Sequence, residues 1–94
     1  MIYELKFKEE AWQEWNGLDG SIRELFKKKL KERLTNPKVP SAKLRTLSDC
    51  YKIKLRGPGY RLVYQVRDQE LVIVVIAVGK RDKNQVYKIA SSRA

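Results

Sequence analysis

Residues 51–66 alternate with a period of two, and this pattern constrains the fold more than any other feature of the chain. Tyr51, Ile53 and Leu55 alternate with Lys52, Lys54 and Arg56. Gly57-Pro58-Gly59 interrupts, and Tyr60, Leu62, Tyr64 and Val66 then alternate with Arg61, Val63 and Gln65. Strict alternation marks a half-buried strand, and a glycine–proline–glycine break between two such runs predicts a β-hairpin. A three-residue loop would set Leu55 against Arg61 and Lys54 against Leu62. Because a one-residue slip turns every side chain to the other face, the apolar rows match only across an even loop or with a bulge at one of the glycines. That register puts Arg61 on one face with Lys52 and Lys54. Any one of these cations is explained by a solvated face or by protection of an edge strand. Three on adjacent strands repel one another and weaken the sheet, so a polyanion is the better explanation.

The rest of the chain reads as a scaffold for this hairpin. Ile2–Phe7 alternates and predicts a strand with Tyr3, Leu5 and Phe7 on one side. Glu9–Asn16 has helical spacing, with Ala11, Trp12 and Trp15 as its apolar stripe and Gly17 as terminator. Tryptophans can stack on bases, but at helical spacing beside a strand both are expected in the core. Ser21-Ile22-Arg23-Glu24 has the form of a capping box. Ile22, Leu25, Phe26, Leu30 and Leu34 carry a second helix to Asn36-Pro37. Its other face bears Lys27, Lys28, Lys31 and Arg33; a charged outer face is ordinary for a surface helix, but the scarcity of balancing acids tilts it towards phosphate contact. Residues 36–49 read as a loop holding Lys43 and Arg45, with a short extended piece near Leu44–Leu47.

Beyond the hairpin, Asp68-Gln69 turns the chain into Leu71–Val78, apolar on both faces, which predicts a central strand covered on each side. A tight turn would set Leu71 opposite Val66 and Ile76 opposite Arg61. Gly79-Lys80-Arg81 then leaves the sheet near the start of the 60–66 strand, within reach of the cations. Asp82 or Asn84 is expected to cap a last helix that turns Val86, Ile89 and Ala90 inward and carries Tyr87. The order β-α-α-β-β-β-α predicts one α+β domain over residues 1–94. It has a mainly antiparallel four-stranded sheet, two N-terminal helices packed on it and a short C-terminal helix.

Composition narrows the function. The chain has 21 Lys plus Arg against 11 Asp plus Glu, a net charge of +10. Such a field attracts phosphates, with an affinity that falls steeply with salt. No run is long enough to span a bilayer, and the N-terminus lacks the basic and apolar regions of a signal peptide. A cytoplasmic protein without membrane association is therefore expected. Cys50 stands alone, excluding an internal disulfide and reading as a reduced thiol. With no histidine in the sequence, a catalytic cysteine has no imidazole partner.

These residues resemble the RelE family of bacterial toxin–antitoxin toxins. The likeness spans nearly the whole chain and is strongest in Cys50–Arg56, Gly59–Val66 and Val78–Arg81, continuing to Tyr87. Lys43-Leu44-Arg45 and the basic second helix also look like the family, whereas Gly57-Pro58-Gly59 and the C-terminal tail are more individual. The resemblance implies a fold like that of small microbial ribonucleases. It also implies a ribosome-dependent endoribonuclease that cleaves messenger RNA in the decoding site and is neutralised by a RelB-like antitoxin. Carried over residue by residue, Lys52, Lys54, Arg61, Arg81 and Tyr87 are the catalytic candidates. Lys27, Lys28, Lys31, Arg33, Lys43, Arg45, Arg56 and Lys80 are the candidates for contact with RNA and the ribosome. Neither a metal nor a cofactor is expected. Attack of a 2′-OH on phosphorus needs a base, charge stabilisation and an acid. Without histidine the base must be a group shifted from near 10: Lys52 or Lys54, lowered by crowded cations, or Tyr87. Arg61 and Arg81 suit phosphate clamping. Two rival readings are a non-catalytic ParE-like toxin acting on DNA gyrase and a plain basic nucleic-acid-binding module.

Overall fold

The computed structural model describes residues 2–80 and 85–93. Strand β1 (Glu4–Phe7) leads into helices α1 (Glu9–Asn16) and α2 (Gly20–Thr35). A 3-10 turn (Pro40–Ala42) precedes strands β2 (Cys50–Leu55), β3 (Tyr60–Arg67) and β4 (Val72–Lys80), and helix α3 (Gln85–Arg93) follows. The four strands form one sheet in the order β1-β4-β3-β2. The β2–β3 and β3–β4 pairings are antiparallel, but β1 lies parallel to β4. The sheet is therefore mixed: the helices carry the chain to β2 at the far edge, running the same way as β1, and two antiparallel turns then bring β4 beside β1 in that same direction.

Helices α1 and α2 cover one face, where Trp15, Phe26 and Leu30 meet Ile53, Leu62, Tyr64, Ile73 and Val75. On the opposite face, Val86 and Ala90 of α3 pack with Val63, Val74, Ile76 and Ala77. The apolar run from 72 to 78 is thus buried on both sides, as its composition predicts.

Local details depart from the sequence reading. Trp12 is not in the core: it is 48% exposed and sets its ring edge-on to Phe7 at 5.2 Å. Its place on α1 turns it past the rim of the sheet, leaving Ala11 and Trp15 to fill the interior. Leu25 is also exposed. Helix α2 starts at Gly20, with Asp19 in the cap position and no side-chain capping bond, so Ser21 and Glu24 lie inside the first turns and form no capping box. Extended pairing in the long loop occurs at Lys43, which bridges Tyr51. Residues 45–49 form turns, and Leu44 and Leu47 pack with the α3-side cluster.

The hairpin loop is even. Leu55 pairs with Tyr60, Lys54 with Arg61 and Ile53 with Leu62, across the four residues Arg56–Gly59. Gly59 has φ of +75°, and its N–H bonds to the Leu55 carbonyl at 2.8 Å. That positive φ is why a glycine closes the turn.

The β3–β4 register differs from the expected one. A four-residue turn, with Leu71 at φ +54°, sets Val66 opposite Ile73 rather than Leu71. Pairing then slips between Val63↔Ala77 and Tyr64↔Val75, so Ile76 is an extra residue on β4, a β-bulge. Both shifts move the partner of Arg61 from Ile76 to Gly79. Strand β4 continues to Lys80, opposite Tyr60, and so does end beside the start of β3.

Candidate functional site

The paired register decides which cations meet. Directly paired residues point to one side of an antiparallel sheet and alternate residues share a face. Lys54 and Arg61 are therefore side by side with Lys52 adjacent, and all three lie on the face that α3 covers. Gly79 stands on the other side of Arg61. A Cβ at Gly79 would meet Val86 Cγ2 of α3 at 3.2 Å. The glycine thus lets the helix sit close over the strand beside the arginine.

Arg61 is only 9% exposed. Among the described residues no carboxylate pairs with it, and its one hydrogen bond is a long 3.5 Å contact from Nη1 to the Tyr60 carbonyl. A buried, unpaired cation is costly. Arg61 lines a cavity of about 340 Å³ with Lys54, Arg56 and Gly59. Three cations and a glycine around one opening form a receptacle for an anion. The Lys54 ammonium is held below the ordinary lysine value, first by the charge of Lys52, then by burial, Arg61 and Arg56.

Tyr87 lies on α3, packed with the apolar cluster on this same face. Its hydroxyl is buried and has no hydrogen-bond partner among the described residues. Arg81, with the expected cap at Asp82 or Asn84, lies outside the described residues. Lys80 alternates to the face away from Arg61 and is exposed.

The other basic candidates occupy different places. Lys27, Lys28 and Lys31 are exposed on α2, which covers the opposite face of the sheet. Arg33 is not with them. Its guanidinium donates to the Lys52 carbonyl at 3.2 Å and to the Tyr64 hydroxyl at 2.9 Å, and Tyr64 in turn donates to the Pro37 carbonyl at 2.6 Å. Arg33 thereby ties the end of α2 to the strand that carries Lys52 and Lys54. Lys43 and Arg45 are exposed on the loop flanking β2, and Arg56 is exposed at the hairpin turn.

Sequence reasoning missed two contributors. Ser41, on the 3-10 turn, faces a second cation-lined groove with Arg33, Lys52, Lys54 and Arg56. Arg93 fastens α3: it pairs with Glu14 of α1 at 2.8 and 3.1 Å and donates to the Ile76 carbonyl at 2.9 Å. Lys8 adds a 2.7 Å bond to the Arg93 carbonyl. Ser41 has no signal in a linear reading, since only the fold brings it to the edge of β2. Arg93 sits in a tail whose contacts are all distant in sequence.

Comparison with known proteins bears on the same residues. The family model described as "ParE toxin of type II toxin-antitoxin system, parDE" matches residues 5–85. The mRNA interferase toxin RelE of Escherichia coli is 53% identical over 99% of this chain and 98% of its own length. A mutant of E. coli toxin RelE in the free state superposes with a TM-score of 0.92 at 52% identity, covering 99% of this chain and 98% of that one. The toxin in the intact E. coli RelBE toxin–antitoxin complex gives a TM-score of 0.83 at 53% identity, over 86% of this chain and 99% of that one. The fold, the register of the cationic hairpin and these likenesses agree, and the chain belongs to the RelE family of type II toxin–antitoxin toxins.

Proposed function

We propose that this toxin is an endoribonuclease that cuts messenger RNA in the ribosomal decoding site and so stops translation. The observation that carries the reading is Arg61, buried between Lys54 and Gly79 with no acidic partner among the described residues, and lining a cavity of about 340 Å³. Kinship with the mRNA interferase RelE supports the same chemistry. The reaction takes place where ribosomes are, in the cytoplasm; among the described residues no helix is long and apolar enough to cross a membrane.

Lys54 is the general base of this proposal, because its neighbours favour loss of its proton. In the neutral form Nζ takes the proton of the 2′-OH. The 2′-oxygen then bonds to phosphorus and the bond to the 5′-oxygen breaks; that oxygen takes a proton from solvent and Lys54 gives its own back to solvent, leaving a 2′,3′-cyclic phosphate and a 5′-hydroxyl. Lys52 favours loss of the Lys54 proton and meets phosphate charge. Arg61 holds the non-bridging oxygens as charge develops on them. Arg81 is assigned by resemblance to the same phosphate and to the departing oxygen. Tyr87 is assigned to the base of the bound nucleotide, which requires α3 to shift and uncover its hydroxyl.

The partner is a RelB-like antitoxin, by analogy with the RelBE complex. An acidic, amphipathic segment lying over the cationic face or displacing α3 would neutralise the site. A second reading has one observation behind it, the family description naming a ParE toxin; it predicts a DNA-damage response and no cut messages on induction.

Ribosome dependence follows from what the site lacks. Binding RNA needs only cations, whereas cutting needs the 2′-oxygen, phosphorus and 5′-oxygen nearly in line. Without histidine the enzyme leans on positioning, worth on the order of 7–11 kcal/mol when the substrate arrives prearranged. The test compares single-turnover cleavage of one message, free and held on a ribosome with an empty decoding site, at matched salt. Much faster cleavage on the ribosome is expected. Equal rates would return the protein to the class of ordinary ribonucleases.

A further inference from the structure

Strand β2 forms an outer edge of the sheet, and only part of that edge is covered. Cys50 and Lys52 turn their carbonyls outward, accepting from the Leu44 N–H at 2.9 Å and from Arg33 at 3.2 Å. The antiparallel alternation therefore turns the Lys54 N–H outward as well. Among the described residues nothing accepts from it. That amide lies along a groove of about 310 Å³ whose polar walls are Arg33, Ser41, Lys52, Lys54 and Arg56. Its donors are cationic side chains, a hydroxyl and an unpaired backbone N–H, the usual set for a phosphate.

The position of the groove identifies whose phosphate it takes. Lys54 and Arg56 line both this groove and the cavity around Arg61 on the sheet face. An RNA strand in one is led to the other, passing over the edge of β2 between them. We propose that the edge groove seats a phosphodiester of the RNA backbone beside the one that is cut, with Ser41 and the Lys54 amide on its outer side. This rests on the ribonuclease reading and adds a path to it: the strand crosses the sheet edge and does not run along the face.

Ser41 is exposed and stands outside the catalytic set, so it can carry the test. Ser41→Glu would put an anion against the seated phosphate, and Ser41→Gln has nearly the same size without the charge. Affinity is measured on ribosomes programmed with a message carrying a 2′-deoxy nucleotide at the cleavage position, so binding is read independently of cutting. Ser41→Glu should bind about tenfold more weakly, the scale of one lost charge-assisted contact. Ser41→Gln, which loses the hydroxyl but keeps an uncharged donor, should lose far less than Ser41→Glu. Repeating the measurement with a neutral methylphosphonate at either flanking linkage identifies the source. A penalty that shrinks with one of them assigns the phosphate to the message, and an undiminished penalty assigns it to ribosomal RNA. Equal affinity of Ser41→Glu and the parent, or an equal loss in Ser41→Gln, overturns the seat. If the parent binds the deoxy message but never cuts the ribonucleotide one, the ribonuclease reading fails while the seat is still judged by the binding data.

Discussion

In the proposed mechanism a single side chain, Arg61, concentrates the chemistry. Truncating it should leave the fold intact, because it makes no ion pair among the described residues. Arg61→Ala should slow single-turnover cleavage roughly a hundredfold to a thousandfold, the range for one preorganised charge contact at a transition state. Unchanged circular dichroism with an unchanged rate would remove Arg61 from the site. Lys54 gives a pH test. Its ammonium is held below the ordinary lysine range mainly by Lys52, so cleavage should rise with pH and level off below that range. In Lys52→Gln the Lys54 midpoint should move up, as read by NMR titration of the side-chain nitrogen; a stationary midpoint would show that Lys52 does not tune it. Folding that lowers a lysine's pKa releases a proton. Its contribution to stability therefore opposes folding at neutral pH and fades above the ordinary lysine value. At this scale the sequence was highly legible, since alternation alone put Lys52, Lys54 and Arg61 on one face. What it could not show was burial: nothing in the string distinguishes Arg61, sunk beside Gly79, from the solvated Arg56.

Among the elements, α3 is held most unusually. Beyond Val75 the β1 side of β4 loses its partner strand, and the exposed edge is met by side chains. Glu14 accepts from the Val78 N–H at 3.2 Å, and Arg93 donates to the Ile76 carbonyl. The Glu14–Arg93 pair thus closes a sheet edge and clasps the helix that hides Tyr87. Arg93→Ala should cost about 1–3 kcal/mol locally, since it takes the charged donor from the partly buried Glu14 carboxylate, leaving it the Val78 N–H alone, and removes a donor from the Ile76 carbonyl. Hydrogen exchange in α3 should accelerate while amides of β3 keep their protection. Uniform protection across α3 would mean that the apolar contacts of Val86 and Ala90 suffice to hold it. The elements themselves were readable because each has a clean period. The capping box failed because Ser21 and Glu24 have the right spacing two residues too late, after Asp19 had taken the cap position. Trp12 failed because periodicity marks a stripe, not where the sheet beneath it stops.

Across the whole molecule, the cations divide between two sides of the sheet. Lys27, Lys28 and Lys31 look outward from α2, while Lys52, Lys54 and Arg61 lie on the face against which α3 packs. In the proposed function one set grips ribosomal RNA while the other meets the message. Lys28→Glu should therefore weaken ribosome association and flatten its salt dependence by about one unit of slope, leaving the saturated cleavage rate unchanged. A fall in that saturated rate would merge the two surfaces into one. The long-range arrangement was the least legible part of the chain, because the β3–β4 register depends on a turn width and a bulge that no residue pattern announces. That bulge reaches well beyond its own position. A regular strand keeps the same odd-and-even assignment of residues to faces along its length, but the extra Ile76 reverses it midway. Ile73 and Val75 belong to the α1–α2 core, yet Gly79, of the same odd parity, faces α3 and the arginine. Were the strand regular with Ile76 paired to Val63, Val78 would stand opposite Arg61 where the glycine now is, closing the space beside the arginine; deleting Ile76 would instead leave Gly79 opposite Arg61. The glycine's place thus rests on a count as well as on letters: one more residue between Val75 and Gly79 than between Tyr64 and Arg61 is what the bulge absorbs to seat it beside the arginine.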